Sequence, residues 1–166
     1  LAWAQRSGLY VLLDLHGAPG RQSKDHHTGE ADRNLLFRDA ANVERTAALW
    51  ARVAARYRNR PEVAGYDLLN EPMGATNADQ VYAVQDRIYR AIRAVDPRHL
   101  IFSEDGYKGI QHMPDPSVMH WTGVVASVHC YKFDAKSEAD QLGHLKWLTS
   151  MIDREQARLQ IGRAHV

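Results

Sequence analysis

Four short apolar runs alternate with amphipathic stretches along the chain, a pattern that predicts strands followed by helices. Tyr10-Val11-Leu12-Leu13-Asp14-Leu15 is almost continuously apolar, as expected of a strand covered on both faces. From Thr46 to Tyr57, Trp50, Val53, Ala54 and Tyr57 recur at helical spacing. A second strand is expected from Val63 to Leu69, entered through Arg60-Pro61. The next helix, from about Ala78 to Val95, carries Val81, Val84, Ile88, Ile92 and Val95 on one face. Asn77 is placed to cap it, with Gln80 three residues on, and Asp96-Pro97 ends it. Strands are then predicted from His99 to Phe102 and from Val124 to Val128. Ser137-x-x-Asp140 opens a last helix with Leu142, Leu145, Leu148 and Ile152 facing inward.

Strands alternating with helices argue for parallel βαβ units, in a doubly wound sheet or a (β/α)₈ barrel. The polar residues separate the two. Each run ends in groups suited to chemistry: His16, then Asn70-Glu71, then Glu104-Asp105, then His129 and Tyr131. Polar groups at the C-terminal ends of successive strands are the arrangement of a barrel active site. A doubly wound sheet would gather its site at one switch point, and no Gly-rich phosphate loop follows any strand. The fold class expected is therefore α/β, a TIM barrel. A complete barrel needs roughly 250 residues and eight strands, so this chain reads as a central slice, about strands three to six.

The ends fit that reading. The chain opens without Met, in what looks like the last turns of a helix stopped by Ser7-Gly8. Residues 161–166, Ile-Gly-Arg-Ala-His-Val, read as translated sequencing adapter and are set apart from a partial catalytic domain over residues 1–160. Composition narrows the partners. With 21 Lys+Arg against 20 Asp+Glu, the net charge of +1 carries no footprint for nucleic acid or an anionic membrane. No apolar run approaches the ~20 residues of a membrane span. The single Cys130 excludes an intrachain disulfide and leaves the compartment open.

Asn70-Glu71-Pro72 sits where an apolar strand becomes a loop. A carboxyl leaving a strand into a walled cleft is partly desolvated, which raises its pKa and keeps it protonated near neutrality. That is what a donor to a departing glycosidic oxygen requires. An amide just before it can bond a sugar hydroxyl, and the following Pro stiffens the turn.

The surrounding motifs give the triplet its meaning. Gly8-Leu9-Tyr10-Val11-Leu12-Leu13-Asp14-Leu15-His16-Gly17, Tyr66-Asp67-Leu68-Leu69-Asn70-Glu71-Pro72 and Val124-Val125-Ala126-Ser127-Val128-His129-Cys130-Tyr131 resemble strands three, four and six of glycoside hydrolase family 5, the cellulase A family. The resemblance runs from Leu1 to about Gln160. It implies a retaining β-glycoside hydrolase barrel with Glu71 as the acid/base and Asn70 as its sugar-contacting neighbour. His16, His129 and Tyr131 would line the cleavage subsite. It also implies no cofactor, a β-linked glucan or oligosaccharide substrate, a monomeric full-length protein and an extracellular or periplasmic setting. The Gly17-Ala18-Pro19-Gly20 continuation resembles the exo-β-1,3-glucanase branch. The family's nucleophile, a second Glu after strand seven, has no counterpart here. Glu155, in Asp153-Arg154-Glu155-Gln156, reads as part of an exposed helical face. The chain by itself is accordingly expected to be inactive, and to be insoluble or only partly ordered.

Rival readings attach to several residues. His16, His26 and His27 could bind a metal, but they lack the spacing that aligns two imidazoles on one ion. The stretch 17–34 is expected to be a substrate-cleft loop. Glu104 rivals Glu71 because it too follows an apolar strand, although a solvated Glu104-Asp105 turn accounts for it equally well. Tyr107 and Trp121 could stack on sugars or simply pack. Trp3, Trp50 and Trp147 are read as core, and Cys130 as a buried thiol. An inert carbohydrate-binding barrel is the main functional alternative.

Overall fold

The computed structural model describes residues 1–159; the expected tail at 161–166 lies outside them. The described residues form a parallel sheet of four strands, β1 (Val11–Asp14), β2 (Val63–Asp67), β3 (Leu100–Glu104) and β4 (Val124–Ser127). They are ordered β1-β2-β3-β4, so each strand lies beside the next in sequence. Helices α1 (Ala2–Arg6), α2 (Ala40–Tyr57), α3 (Ala78–Arg93) and α4 (Glu138–Leu159) alternate with the strands except between β3 and β4, where the described connection holds only the short 3-10 turn Ile110–His112. The barrel-type α/β reading is met.

Alternation along the strands sets two faces. Tyr66 and its register partner Ile101 are fully buried on the side that α2 and α3 cover. Asp14 and Asp67, also register partners, point to the opposite face together with Glu104. That face is uncovered in places, and Leu12 and Leu100 are 41% and 38% exposed. The expectation that β1 is covered on both faces therefore fails, because no described element packs over its inner side. Gly65 stands where β2 and β3 approach closely: an added Cβ would lie 2.4 Å from the Leu100 carbonyl oxygen.

Both helices that cover the sheet begin at side-chain caps. Asn77 accepts from the Gln80 N–H at 2.9 Å, as its position predicted. Its helix then buries Val81, Val84, Ile88 and Ile92. Asp39 accepts from the Ala41 N–H at 2.9 Å, which starts α2 six residues before the apolar repeat begins at Thr46. The added turns bury Asn42 and offer only Val43 as a sizeable apolar side chain, too little for hydrophobic spacing to reveal them. Trp50 of α2 is buried against Tyr66, with ring centroids 5.6 Å apart, and its Nε1–H donates to the Leu68 carbonyl at 2.9 Å.

Asp96 ends the α3 segment as a buried hub. Its Oδ2 accepts the Tyr66 hydroxyl at 2.7 Å and lies 2.6 Å from His99 Nδ1, while its Oδ1 accepts the Arg98 and His99 N–H groups.

Helix α4 departs most from the pattern. Ser137 Oγ accepts the Asp140 N–H at 3.2 Å and Asp140 accepts the Lys136 N–H, so the predicted start holds. Leu148 is buried, but Leu142, Leu145 and Trp147 are exposed. Periodicity identified the apolar side of the helix, yet little of it has a described partner beyond the turn Ile110–His112. Trp3, read as core, is likewise exposed on the short α1. Cys130 is exposed as well, because β4 ends at Ser127 and the alternation does not extend to residue 130.

Candidate active site

The C-terminal ends of all four strands converge on Glu71. The β1–β2–β3 pairing continues irregularly past the strands: Leu15 N–H donates to the Asp67 carbonyl, Asn70 N–H to the Leu15 carbonyl and Leu68 N–H to the Phe102 carbonyl. This carries Asn70 and Glu71 to the top of the sheet. Glu71 adopts a φ of +44°, in the left-handed region that L side chains rarely occupy. Its side chain is 16% exposed.

Two hydrogen bonds meet on Glu71 Oε1. The Tyr107 hydroxyl donates to it at 2.9 Å from the loop after β3, and His129 Nδ1 lies 2.7 Å away from the loop after β4. Oε2 faces His27 Nδ1 at 3.8 Å, across from the loop after β1. His129 also places Nε2 3.2 Å from Glu104 Oε1, so the imidazole stands between two carboxylates. Tyr131 packs edge-on against His129 with centroids 6.0 Å apart, and its exposed ring stacks on Phe133 at 5.0 Å. His16 hydrogen-bonds Asp14 and meets His27 edge-on at 6.2 Å. Asn70 is buried, 6% exposed, directly before the carboxyl. The five residues expected at the site thus lie at one end of the sheet, with His129 in direct contact with Glu71 and His16 and Tyr131 one ring further out.

Electrostatics departs from expectation at Glu71 itself. Burial pushes its carboxyl up, but the bonds from His129 and Tyr107 and the charge of the imidazoles outweigh it, leaving the pKa below the ordinary value. A raised pKa needs dry walls or a facing anion, and the described surroundings supply donors instead. His129 moves in the complementary direction. Burial disfavours its charge, yet Glu71, Glu104 and Asp67 together raise its pKa.

Beneath this pair lies a layer of carboxyls. Asp67 is pushed up to about 8, first by burial and then by the charges of Glu104 and Asp14, with His129 opposing. Its Oδ1 has no hydrogen-bond partner among the described residues. An unfolded Asp ionises near pH 4, at about 3.9. Between that pH and about 8 the folded chain holds a proton that the unfolded chain has released. Stability contributed by this group therefore falls as pH rises through the window. The full-length protein should lose thermal stability between pH 5 and 8.5, and Asp67→Asn should flatten that slope; an unchanged slope would refute the assignment.

Several neighbours were misjudged or missed in the sequence. The Glu104-Asp105 pair is no solvated turn: Glu104 is 3% exposed and burial raises both carboxyls. Tyr107 turns its hydroxyl onto Glu71 instead of standing only as a platform. Trp121 packs, donating its Nε1–H to Asp86 Oδ1 at 2.8 Å. Glu155 is ion-paired with Arg158 and half-buried, not fully exposed. Of the 17–34 loop, His27 reaches the site and Gln22 is fully buried. Nothing in local periodicity singles out Gln22, and only the strand order brings its loop beside Asn70. Among the described residues no group of His, Cys, Asp and Glu side chains has the arrangement to hold a metal ion.

A cleft of about 320 Å³ opens beside His129 and Tyr131, lined also by Asp105, Tyr107, His144 and Trp147. A larger hollow of about 700 Å³, between Tyr10, Arg58 and Leu100, lies at the N-terminal ends of the strands, away from these groups. No described helix is long and apolar enough to cross a membrane.

Comparison with known proteins locates this arrangement in a family. The cellulase (glycosyl hydrolase family 5) sequence model matches residues 1–161. The chain is 33% identical over 129 residues to a β-xylosidase of Phanerodontia chrysosporium, covering 76% of this chain and 27% of that protein. It is 30% identical over 145 residues to the glucan 1,3-β-glucosidase of Candida oleophila, covering 81% and 34%. The chain thus spans about a third or less of these relatives. In structure it is similar to the endoglucanase Cel5A of Thermotoga maritima, with a TM-score of 0.69 at 21% identity over 95% of this chain and 53% of that one.

Proposed function

Because the chain belongs to glycosyl hydrolase family 5, we propose that it forms the acid/base side of a retaining β-glycoside hydrolase site whose substrate is a β-glucan or β-linked oligosaccharide. The observation that carries this reading is the Glu71 carboxyl at the end of β2, held by Tyr107 and His129 from the ends of β3 and β4. Both bonds fall on Oε1, so Oε2 is the oxygen suited to protonate the glycosidic oxygen as the bond to the leaving sugar breaks. Glu71 as carboxylate then takes a proton from the water that releases the glycosyl group. Its left-lowered pKa suits this second, basic role; the acidic role needs a second carboxylate about 5–5.5 Å away to push its pKa up.

That second carboxylate is the nucleophile, and no described residue is suited to it. Glu104 is buried, 3% exposed, with its Oε2 engaged by the Glu71 N–H at 2.7 Å. Glu155 is tied to Arg158 on α4. The stretch 1–160, read as a partial catalytic domain, is accordingly inactive by itself. Asn70, His16, His129 and Tyr131 are proposed to contact the sugar at the bond cleaved, and the exposed Tyr131–Phe133 stack offers an apolar face to a sugar ring. The glucan 1,3-β-glucosidase relative favours β-1,3-glucan as the substrate. An inert sugar-binding barrel would have no use for a carboxyl so placed.

The test is hydrolysis of laminarin and of nitrophenyl β-glucosides by the full-length protein, with the first-formed anomer followed by NMR. Release of the β-anomer is expected. Initial release of the α-anomer, or no hydrolysis of any β-glycoside, would sink the proposal.

A further inference from the structure

The peptide unit between Asn70 and Glu71 is gripped at both of its polar ends by buried side chains. Its carbonyl oxygen accepts from Gln22 Nε2 at 2.8 Å, and its N–H donates to Glu104 Oε2 at 2.7 Å. Strand order makes this possible. β2 lies between β1 and β3, so the residues that follow it can be reached from the loop after β1 and from the end of β3.

Neither grip is free to turn. The Gln22 side chain is fully buried, its Nε2 also donates to the His16 carbonyl at 2.9 Å, and its Oε1 accepts the Ala18 N–H at 3.0 Å. The Gln22 carbonyl accepts the Gly74 N–H at 2.8 Å, on the far side of Asn70-Glu71-Pro72. Glu104 is fixed through its own carbonyl, which accepts Gln85 Nε2 at 2.7 Å from α3. Its second carboxylate oxygen, Oε1, faces His129 Nε2 at 3.2 Å, and His129 in turn bonds Glu71.

The backbone that these contacts hold is unusual. Glu71 has a φ of +44°, and a non-glycine residue stays in that region only when its surroundings over-determine it. We propose that Gln22 and Glu104 are positioning residues that clamp the Asn70–Glu71 peptide and so hold Glu71 in the backbone conformation that aims its carboxyl into the cleft. Glu104 thereby hydrogen-bonds the backbone of Glu71 and makes a charge contact with the imidazole that bonds its side chain, while its Oε1 has no hydrogen-bond partner among the described residues. This inference rests on the role proposed for Glu71 above.

The test uses two substrates in the full-length protein. A phenyl β-glucoside has a poor leaving group that needs protonation, whereas a 2,4-dinitrophenyl β-glucoside leaves without it. A fault in placing the acid therefore slows only the first. Gln22→Met and Glu104→Leu should lower kcat/KM on the phenyl glucoside about 10- to 100-fold. On the dinitrophenyl glucoside the loss should stay below about 3-fold, and Glu104→Gln, which keeps an acceptor for the Glu71 N–H, should recover much of the phenyl activity. Equal losses on both substrates, or none on either, would overturn the clamp. Glu71→Ala serves as the reference. If it shows the substrate split and the clamp variants do not, the clamp alone is wrong; if it shows no split, the acid assignment falls and the clamp with it. Should Glu104→Leu not fold, Gln22→Met and Glu104→Gln carry the comparison.

Discussion

Replacing Glu71 by Ala in the full-length protein should lower kcat/KM on phenyl β-glucosides by about 10²- to 10⁴-fold, the range that a positioned general acid contributes. The fold should not suffer in proportion. The carboxyl makes its two hydrogen bonds to Tyr107 and His129 at the rim of the sheet, not within the apolar layer. Its backbone, at φ +44°, is one that an L residue holds at a cost. Glu71→Gly should remove the acid and relieve that cost together, so its melting temperature should equal or exceed that of Glu71→Ala. Activity within 10-fold of wild type for Glu71→Ala would refute the assignment, since a loss that small lies below what general acid catalysis supplies. A melting temperature lower for the Gly variant than for the Ala variant would refute the account of the backbone.

The largest effect on stability is expected at Trp50. Trp50→Ala empties a site that is 3% exposed between α2 and the sheet, and large-to-small changes of this kind cost about 3–5 kcal/mol. A second penalty follows from the lost Nε1–H donor, which strands the Leu68 carbonyl in the interior. Leu68 lies two residues before Asn70, so the damage reaches the segment that carries the acid. Chemical denaturation of the full-length protein would measure the loss, and a cost below about 1 kcal/mol would contradict this packing. Trp50→Phe fills much of the space without restoring the donor and should fall between the two.

The periodic elements were legible because burial leaves a repeating mark. The apolar face of α3 and its Asn77 cap could be read directly, as could the strand runs that end at His16, Asn70-Glu71 and His129. Such marks say which side of an element is apolar, not whether a partner is there, and on that point Leu142, Leu145 and Trp147 misled. At Cys130 the reading failed for a different reason: strand alternation was extended past Ser127, where β4 stops. The strand-end groups of the site were visible as residue types at meaningful places. Their interactions were not. The bonds that join Glu71 to Glu104, Tyr107 and His129, and Asn70 to Gln22, span 33 to 58 residues of chain. No local pattern encodes them, and the lowered pKa of Glu71 is a property of those distant partners, not of Asn-Glu-Pro itself.

The strand order has a consequence for how such a chain comes to be folded. Every strand pairs with its immediate successor, and α2 and α3, which pack together, are themselves consecutive among the covering helices. Each new strand emerging from the ribosome therefore finds its pairing edge already made by the one before it. The loop to be closed at each step is one connection long, which keeps the entropic barrier of parallel pairing modest. A sheet built by such stepwise growth can form from its N-terminal side during synthesis. The clamp on Asn70–Glu71 cannot close until β3 has been added, and the His129 bond to the Glu71 carboxyl waits for β4, so the acid would acquire its backbone geometry one strand, and its full side-chain setting two strands, after the one that bears it.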